Sequence, residues 1–94
     1  MDLIKVSATS RTAAVAGAIA GVVRDHQRAE VQAIGAGAVN QAVKALILAT
    51  GYLRQDGINV QCVPEFADVT IEDKVRTAIK LVIEPRASAG PAQD

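Results

Sequence analysis

Apolar and polar residues alternate at the start of the chain. Ile4, Val6 and Ala8 fall on one side, Lys5 and Ser7 on the other. A period of two marks a half-buried strand, here Leu3–Ala8. The period then changes. Val15, Ile19, Val22 and Val23 recur at helical spacing, and Thr9 and Ser10 ahead of them can cap a helix over about Arg11–Gln27. Gly17 and Gly21 lie four apart inside it. A glycine in a helix interior costs about 1 kcal/mol against alanine, so close packing of this helix on a sheet or a neighbour is expected. A second strand follows at Glu30–Gly35, then a second helix over about Val39–Leu53, whose apolar surface Val43, Leu46, Ile47 and Leu48 are expected to supply. Gln55-Asp56-Gly57 reads as a turn. Ile58–Val63 is a third strand interrupted at Pro64, with Val69–Ile71 extending it after a bulge or bend. Glu72-Asp73-Lys74 forms a hairpin tip, and Val75–Glu84 alternates most clearly of all.

The order is therefore β-α-β-α-β-β. Right-handed crossovers place both helices on one face of a four-stranded mixed sheet, a two-layer α+β fold. The other face is expected to carry Lys5, Ser7, Gln32, Gln61, Arg76 and Lys80, with no acid among them. Residues 1–86 make a single domain. The remaining ASAGPAQD is too small and polar to fold and is expected to be a disordered tail over 87–94.

Composition narrows the functions available. Half the residues are hydrophobic, yet Tyr52 and Phe66 are the only aromatics among 94, so the core must be aliphatic. A deep pocket lined by rings is not expected. Ten basic and ten acidic side chains cancel. Any binding to a polyanion must then come from local charge placement. Cys62 is the only cysteine, which excludes an intrachain disulfide. Alternation begins at once, so no signal peptide is read, and the apolar stretch Ala13–Val23 is too short to span a bilayer. A cytoplasmic protein without membrane contact is the expectation.

The candidate chemistry centres on Gly35-Ala36-Gly37-Ala38, between a strand and a helix. It is not a dinucleotide fingerprint, because Asn40 stands where the third glycine belongs, and no Gly-Lys-Ser/Thr follows to make a phosphate-binding loop of that type. Two readings remain. Free N–H groups at a helix start, at the positive end of its dipole, favour an anion. Alternatively, the segment is a tight strand-to-helix turn that needs a glycine at positive φ. Asn40, Gln41 and Lys44 follow within two turns and can share an exposed edge with the segment. Arg11 joins them if the two helix starts are neighbours. Lys5, Arg76 and Lys80 form a separate stripe on the sheet. His26 is placed to favour the C-terminus of the first helix rather than to bind metal, and Cys62 reads as a small buried hydrophobe. The acids are scattered, with no nucleophile–base pairing, so no enzyme, metal or cofactor is expected.

Four stretches together, LIKVSATS, VAGAIAGVVR, EVQAIGAGAVNQAVKALILATGYL and RTAIKLVIEPR, resemble the stage V sporulation protein S family over about residues 2–86. The resemblance implies an Alba-like fold of the same β-α-β-α-β-β order. It also implies a dimer or higher homo-oligomer, nucleic-acid binding, and a regulatory part in sporulation. Carried onto this chain, the implied binding residues are Gly35, Ala36, Gly37 and Ala38 with Asn40, Gln41 and Lys44 after them, and Lys74 and Arg76 on the hairpin. Ala36 and Ala38 stand where a basic residue would help and the tip is acidic, so moderate-to-weak binding of RNA or DNA is expected rather than strong coating. The competing reading is a protein-interaction module acting as a homo-oligomer without nucleic acid, pairing through small helix faces and a strand edge at residues 58–71 that includes Phe66.

Overall fold

The computed structural model describes residues 3–86. The tail read over 87–94 lies outside the described residues. The elements run β1 (Leu3–Val6), α1 (Thr12–His26), β2 (Ala29–Ala33), α2 (Ala36–Gln55), β3 (Val60–Ile71) and β4 (Lys74–Pro85). They form a four-stranded mixed sheet in the order β1-β2-β4-β3, with β1 parallel to β2 and both β2 and β3 antiparallel to β4. Both helices cover one face, as right-handed crossovers require. Val6, Val31, Ala33, Leu81 and Ile83 point into the core beneath them, while Lys5, Gln32 and Lys80 stand side by side on the opposite face.

Three local readings are corrected. β3 is one strand, paired residue for residue from Val60↔Pro85 to Ile71↔Lys74, with neither a break nor a bulge at Pro64. It is the edge strand, so a proline lacking its N–H can sit there without costing a ladder bond on a second neighbour. Thr9 and Ser10 do not cap α1. Their groups are used within the β1–α1 turn, where the Ser7 N–H donates to Ser10 Oγ at 2.9 Å and the Thr9 N–H to Ser7 Oγ at 3.3 Å. Arg11 is the N-cap residue, and no side chain caps the helix. Finally, a Cβ built on Gly17 or Gly21 meets nothing within 4 Å, so neither glycine is there for close packing among the described residues.

The face of α2 is the largest departure from expectation. Its buried stripe is Ala38, Ala42, Ala45, Ala49 and Leu53, at spacings of three and four. The larger residues expected to be buried are mostly outside, with Val43 at 41%, Ile47 at 65% and Leu48 at 40% exposure. Small side chains let α2 approach α1 and the sheet closely, which a row of leucines would prevent. Leu53 closes the stripe as its one bulky member.

Beyond Ala33↔Ile79 the sheet loses β2, and β3 with β4 continues as a two-stranded arm. Its tip is a two-residue turn with Glu72 at φ 51° and Asp73 at φ 64°. Positive φ at both central residues matches the right-handed twist of the flanking strands. Among the described residues no helix is long and apolar enough to cross a membrane.

Candidate nucleic-acid interface

Gly35 is the N-cap residue of α2, with φ 92° and ψ 156°. That backbone region is essentially open to glycine alone. The helix begins at Ala36, not at Val39 as read from the sequence, so Ala36-Gly37-Ala38 is its first turn rather than a loop. The first intrahelical bond runs from the Val39 N–H to Gly35 O at 3.0 Å. The N–H groups of Ala36, Gly37 and Ala38 therefore precede the hydrogen-bond ladder, no side chain caps them, and no acid stands in the first turn. Gly37 has a separate role. A Cβ there would lie 2.9 Å from the Ala8 Cβ, so the glycine lets the start of α2 press against the β1–α1 turn.

That contact makes the two helix starts neighbours. Gln41 fixes the arrangement, its Nε2 donating to Ser10 O at 2.7 Å and to Thr12 Oγ1 at 3.2 Å. Gln41 is thus a structural clasp between the helices as well as a candidate site residue. α1 also starts without a side-chain cap and without an acid in its first turn. Two uncapped positive helix ends lie side by side, with Arg11 exposed at one and Ala36 and Gly37 exposed at the other. The flanking sequence contributes no opposing charge, since neither Leu3–Arg24 nor Val31–Gln55 contains an Asp or Glu.

The arm brings further cations to the same end. Lys74 pairs with Ile71 and Arg76 with Val69, and both share the sheet face of Lys80, the face on which Lys5 and Gln32 stand. The arm bends over this face. An open groove of about 350 Å³ has Lys5, Val6, Ser7, Ala8, Gln32 and Ile34 on one side and Val69, Thr70 and Ile71 on the other. The groove is lined by none of the sequence-predicted site residues themselves but by their neighbours: Ser7, Ala8 and Ile34 precede the helix starts in the chain, and Val69 and Ile71 pair with Arg76 and Lys74. Asn40 and Lys44 are exposed one and two turns into α2 and stand on the helix layer, apart from Lys74 and Arg76. Lys5, read as part of a separate stripe, belongs to the groove. Its alternation showed that it faced outward, but nothing local shows that a distant hairpin bends over it.

The remainder of the outer face is charge-balanced, against the expectation of a face without acids. Lys80 Nζ lies 3.5 Å from both Glu30 Oε1 and Glu65 Oε1. Arg28 joins Glu30 at 2.9 Å and Glu84 at 3.1 Å. The Arg28 guanidinium holds the Glu30 carboxyl below its ordinary range, with Lys80 adding to the effect. Glu30 shares the side of Gln32, and Glu65 pairs with Lys80 on the part of β3 beyond Pro64, where the sequence pattern predicts an interruption. Arg24 and Asp56 make a further pair at 2.6 Å, at the far end of the helices. Arg11, Lys44, Lys74 and Arg76 form no ion pair among the described residues. Cys62 is half-buried against the core, where burial raises its thiol pKa.

The family model described as Stage V sporulation protein S (SpoVS) matches residues 2–86, which includes every element from β1 to β4. The chain belongs to the Stage V sporulation protein S family, a family of sporulation proteins.

Proposed function

We propose that this chain is a non-enzymatic regulator that acts in the cytoplasm by binding nucleic acid, RNA or DNA, through its phosphates. The observation that carries the reading is the pair of uncapped helix starts held side by side by Gln41, neither with an acid in its first turn. Phosphate oxygens accept from the N–H groups of Ala36 and Gly37, with Arg11 and, two turns into α2, Lys44 adding charged donors. Because Ala36 and Gly37 carry little or no side chain, the backbone of a strand can come close. The groove continues this path toward Lys5, and Lys74 and Arg76 on the arm contact further phosphates. With one Phe and one Tyr in the chain, stacking on bases contributes little, so affinity is moderate to weak and insensitive to sequence.

The test is the salt dependence of binding to labelled single-stranded RNA and DNA. Each neutralised phosphate on a single strand contributes about −0.7 to the slope of log K against log salt. A site with three or four phosphate contacts gives a slope of about −2 to −3. Arg11→Ala combined with Lys44→Ala is expected to make the slope shallower by about 1.4 and to weaken binding to all sequences alike. An unchanged slope removes these two residues from the interface. No binding at low salt favours the interaction-module reading.

A further inference from the structure

The outer face of the sheet treats its cations in two ways. Lys80 and Arg28 each lie within reach of two carboxylates. Lys5, one strand further along the same row, has no ion pair among the described residues. Gln32 stands between Lys5 and Lys80 and is half-buried, yet its side-chain amide makes no hydrogen bond among the described residues. An ammonium and an amide side by side therefore offer N–H donors that the chain itself leaves unused.

Opposite these donors the groove is aliphatic. Val69 and Ile71 reach it from the arm and Ile34 from the end of β2, with about 350 Å³ between the two sides. A bare anion is poorly served there, because the apolar wall strips water from it and returns no hydrogen bond. A purely apolar molecule would in turn cover the Lys5 ammonium. What suits both halves is an anionic head on an apolar body. We infer that the groove is a binding site for a small amphipathic carboxylate. Its oxygens accept from Lys5 Nζ and Gln32 Nε2, and its body lies along Ile34, Val69 and Ile71.

Charge and size narrow the class. Lys5 is the one charged residue lining the groove, which matches the single charge of a carboxylate better than the nearly two of a phosphate monoester. At ~30 Å³ per non-hydrogen atom, the share of a water molecule in the liquid, there is room for roughly a dozen atoms. The groove is at the small end of ligand sites and open on one side, so a dissociation constant of about 0.1–1 mM is expected. The chain's own last residues do not supply such a body, because ASAGPAQD holds no Val, Leu, Ile, Met or aromatic side chain. A bound carboxylate occupies the path that a strand follows toward Lys5, so the ligand and the far end of a long oligonucleotide compete. The site itself does not depend on nucleic acid and is tested without it.

The probes are hexanoate, phenylbutyrate and indoleacetate, added to the full chain at constant pH and ionic strength up to roughly 5 mM, several times the expected dissociation constant. Proton–nitrogen correlation spectra report the Gln32 side-chain amide and the backbone amides of Ile34, Thr70 and Ile71. At least one carboxylate is expected to move these signals saturably, whereas acetate, which lacks the body, and hexanol, which lacks the charge, leave them in place. Lys5→Gln is expected to raise the dissociation constant at least ~5-fold, the scale of a lost hydrogen bond to a charged group. Ile71→Glu sets a carboxylate in the groove at an exposed position that the fold tolerates, and is expected to abolish binding. Arg54→Gln, in the last turn of α2, removes the same charge far from the groove and is expected to bind as the wild type does. The inference is overturned if none of the three carboxylates moves the groove signals, or if acetate or hexanol moves them equally. Unchanged affinity in Lys5→Gln or in Ile71→Glu, or an equal loss in Arg54→Gln, overturns it as well. No arm contains an oligonucleotide, so failure here leaves the helix-start reading standing, and failure of that reading leaves this one.

Discussion

Ala45→Leu is expected to lower folding stability by about 1–3 kcal/mol, whereas Ile47→Ala, two residues away, is expected to change it by less than about 0.5 kcal/mol. The contrast reverses what side-chain size suggests. Ala45 is fully buried in the α2 stripe, while Ile47 is 65% exposed. A leucine at Ala45 must push α2 away from its neighbours or force strained rotamers, because the interior is packed to the density of a crystal. A domain of this size holds about 5–15 kcal/mol in total, so the loss is a large fraction of the whole. Urea unfolding at low protein concentration checks it. Both variants should keep the wild-type m-value, with the midpoint falling for Ala45→Leu alone. Equal losses would mean that α2 presents its other face to the core.

The second large effect is at the turn that starts α2. Gly35→Ala is expected to destabilise by about 1–3 kcal/mol, the cost of holding a residue with a Cβ in a region that only glycine populates comfortably. A Cβ there would meet nothing within 4 Å, so the penalty is conformational and not a clash. Gly17→Ala, the same chemical change, should instead raise monomer stability by roughly 0.5–1 kcal/mol, because it sits at helical φ and ψ in open space. Opposite signs from one substitution separate a glycine the fold requires from one it does not. If Gly35→Ala relaxes by shifting the first turn of α2, the N–H groups of Ala36 and Gly37 move with it. Nucleic-acid binding should then fall at temperatures where the variant is still folded. Thermal unfolding followed by binding at low salt measures both effects on one sample.

Much of the architecture was legible in the sequence because period-two alternation is a strict geometric signal. Lys5, Gln32 and Lys80 were placed on one face and stand in one row across three strands. The reading failed where hydrophobicity is a weak guide to position. Alanine gains little by transfer from water, so the stripe Ala38-Ala42-Ala45-Ala49 was outweighed by Val43, Ile47 and Leu48, though the fold buries the alanines. Pro64 reads as a strand interruption because a proline breaks a central ladder. Only the strand order shows that β3 is an edge. The candidate site was half visible. A glycine turn before a helix is a local pattern, and Gly35 has the positive φ that the turn reading required. The loss of the Thr9 and Ser10 caps depends on bonds within a short turn, and the groove depends on the arm bending over Lys5. Neither follows from spacing along the chain.

The central claim is that backbone N–H groups at the start of α2, with Arg11 beside them, receive the phosphates. Proton–nitrogen correlation spectra recorded while a short mixed-sequence oligonucleotide is added at low salt test it directly. The expected result is early, saturable movement of the Ala36, Gly37 and Ala38 amides and of the Arg11 side-chain N–H, reversed by added salt. Stationary signals from those four residues, whether or not others respond, would contradict the account.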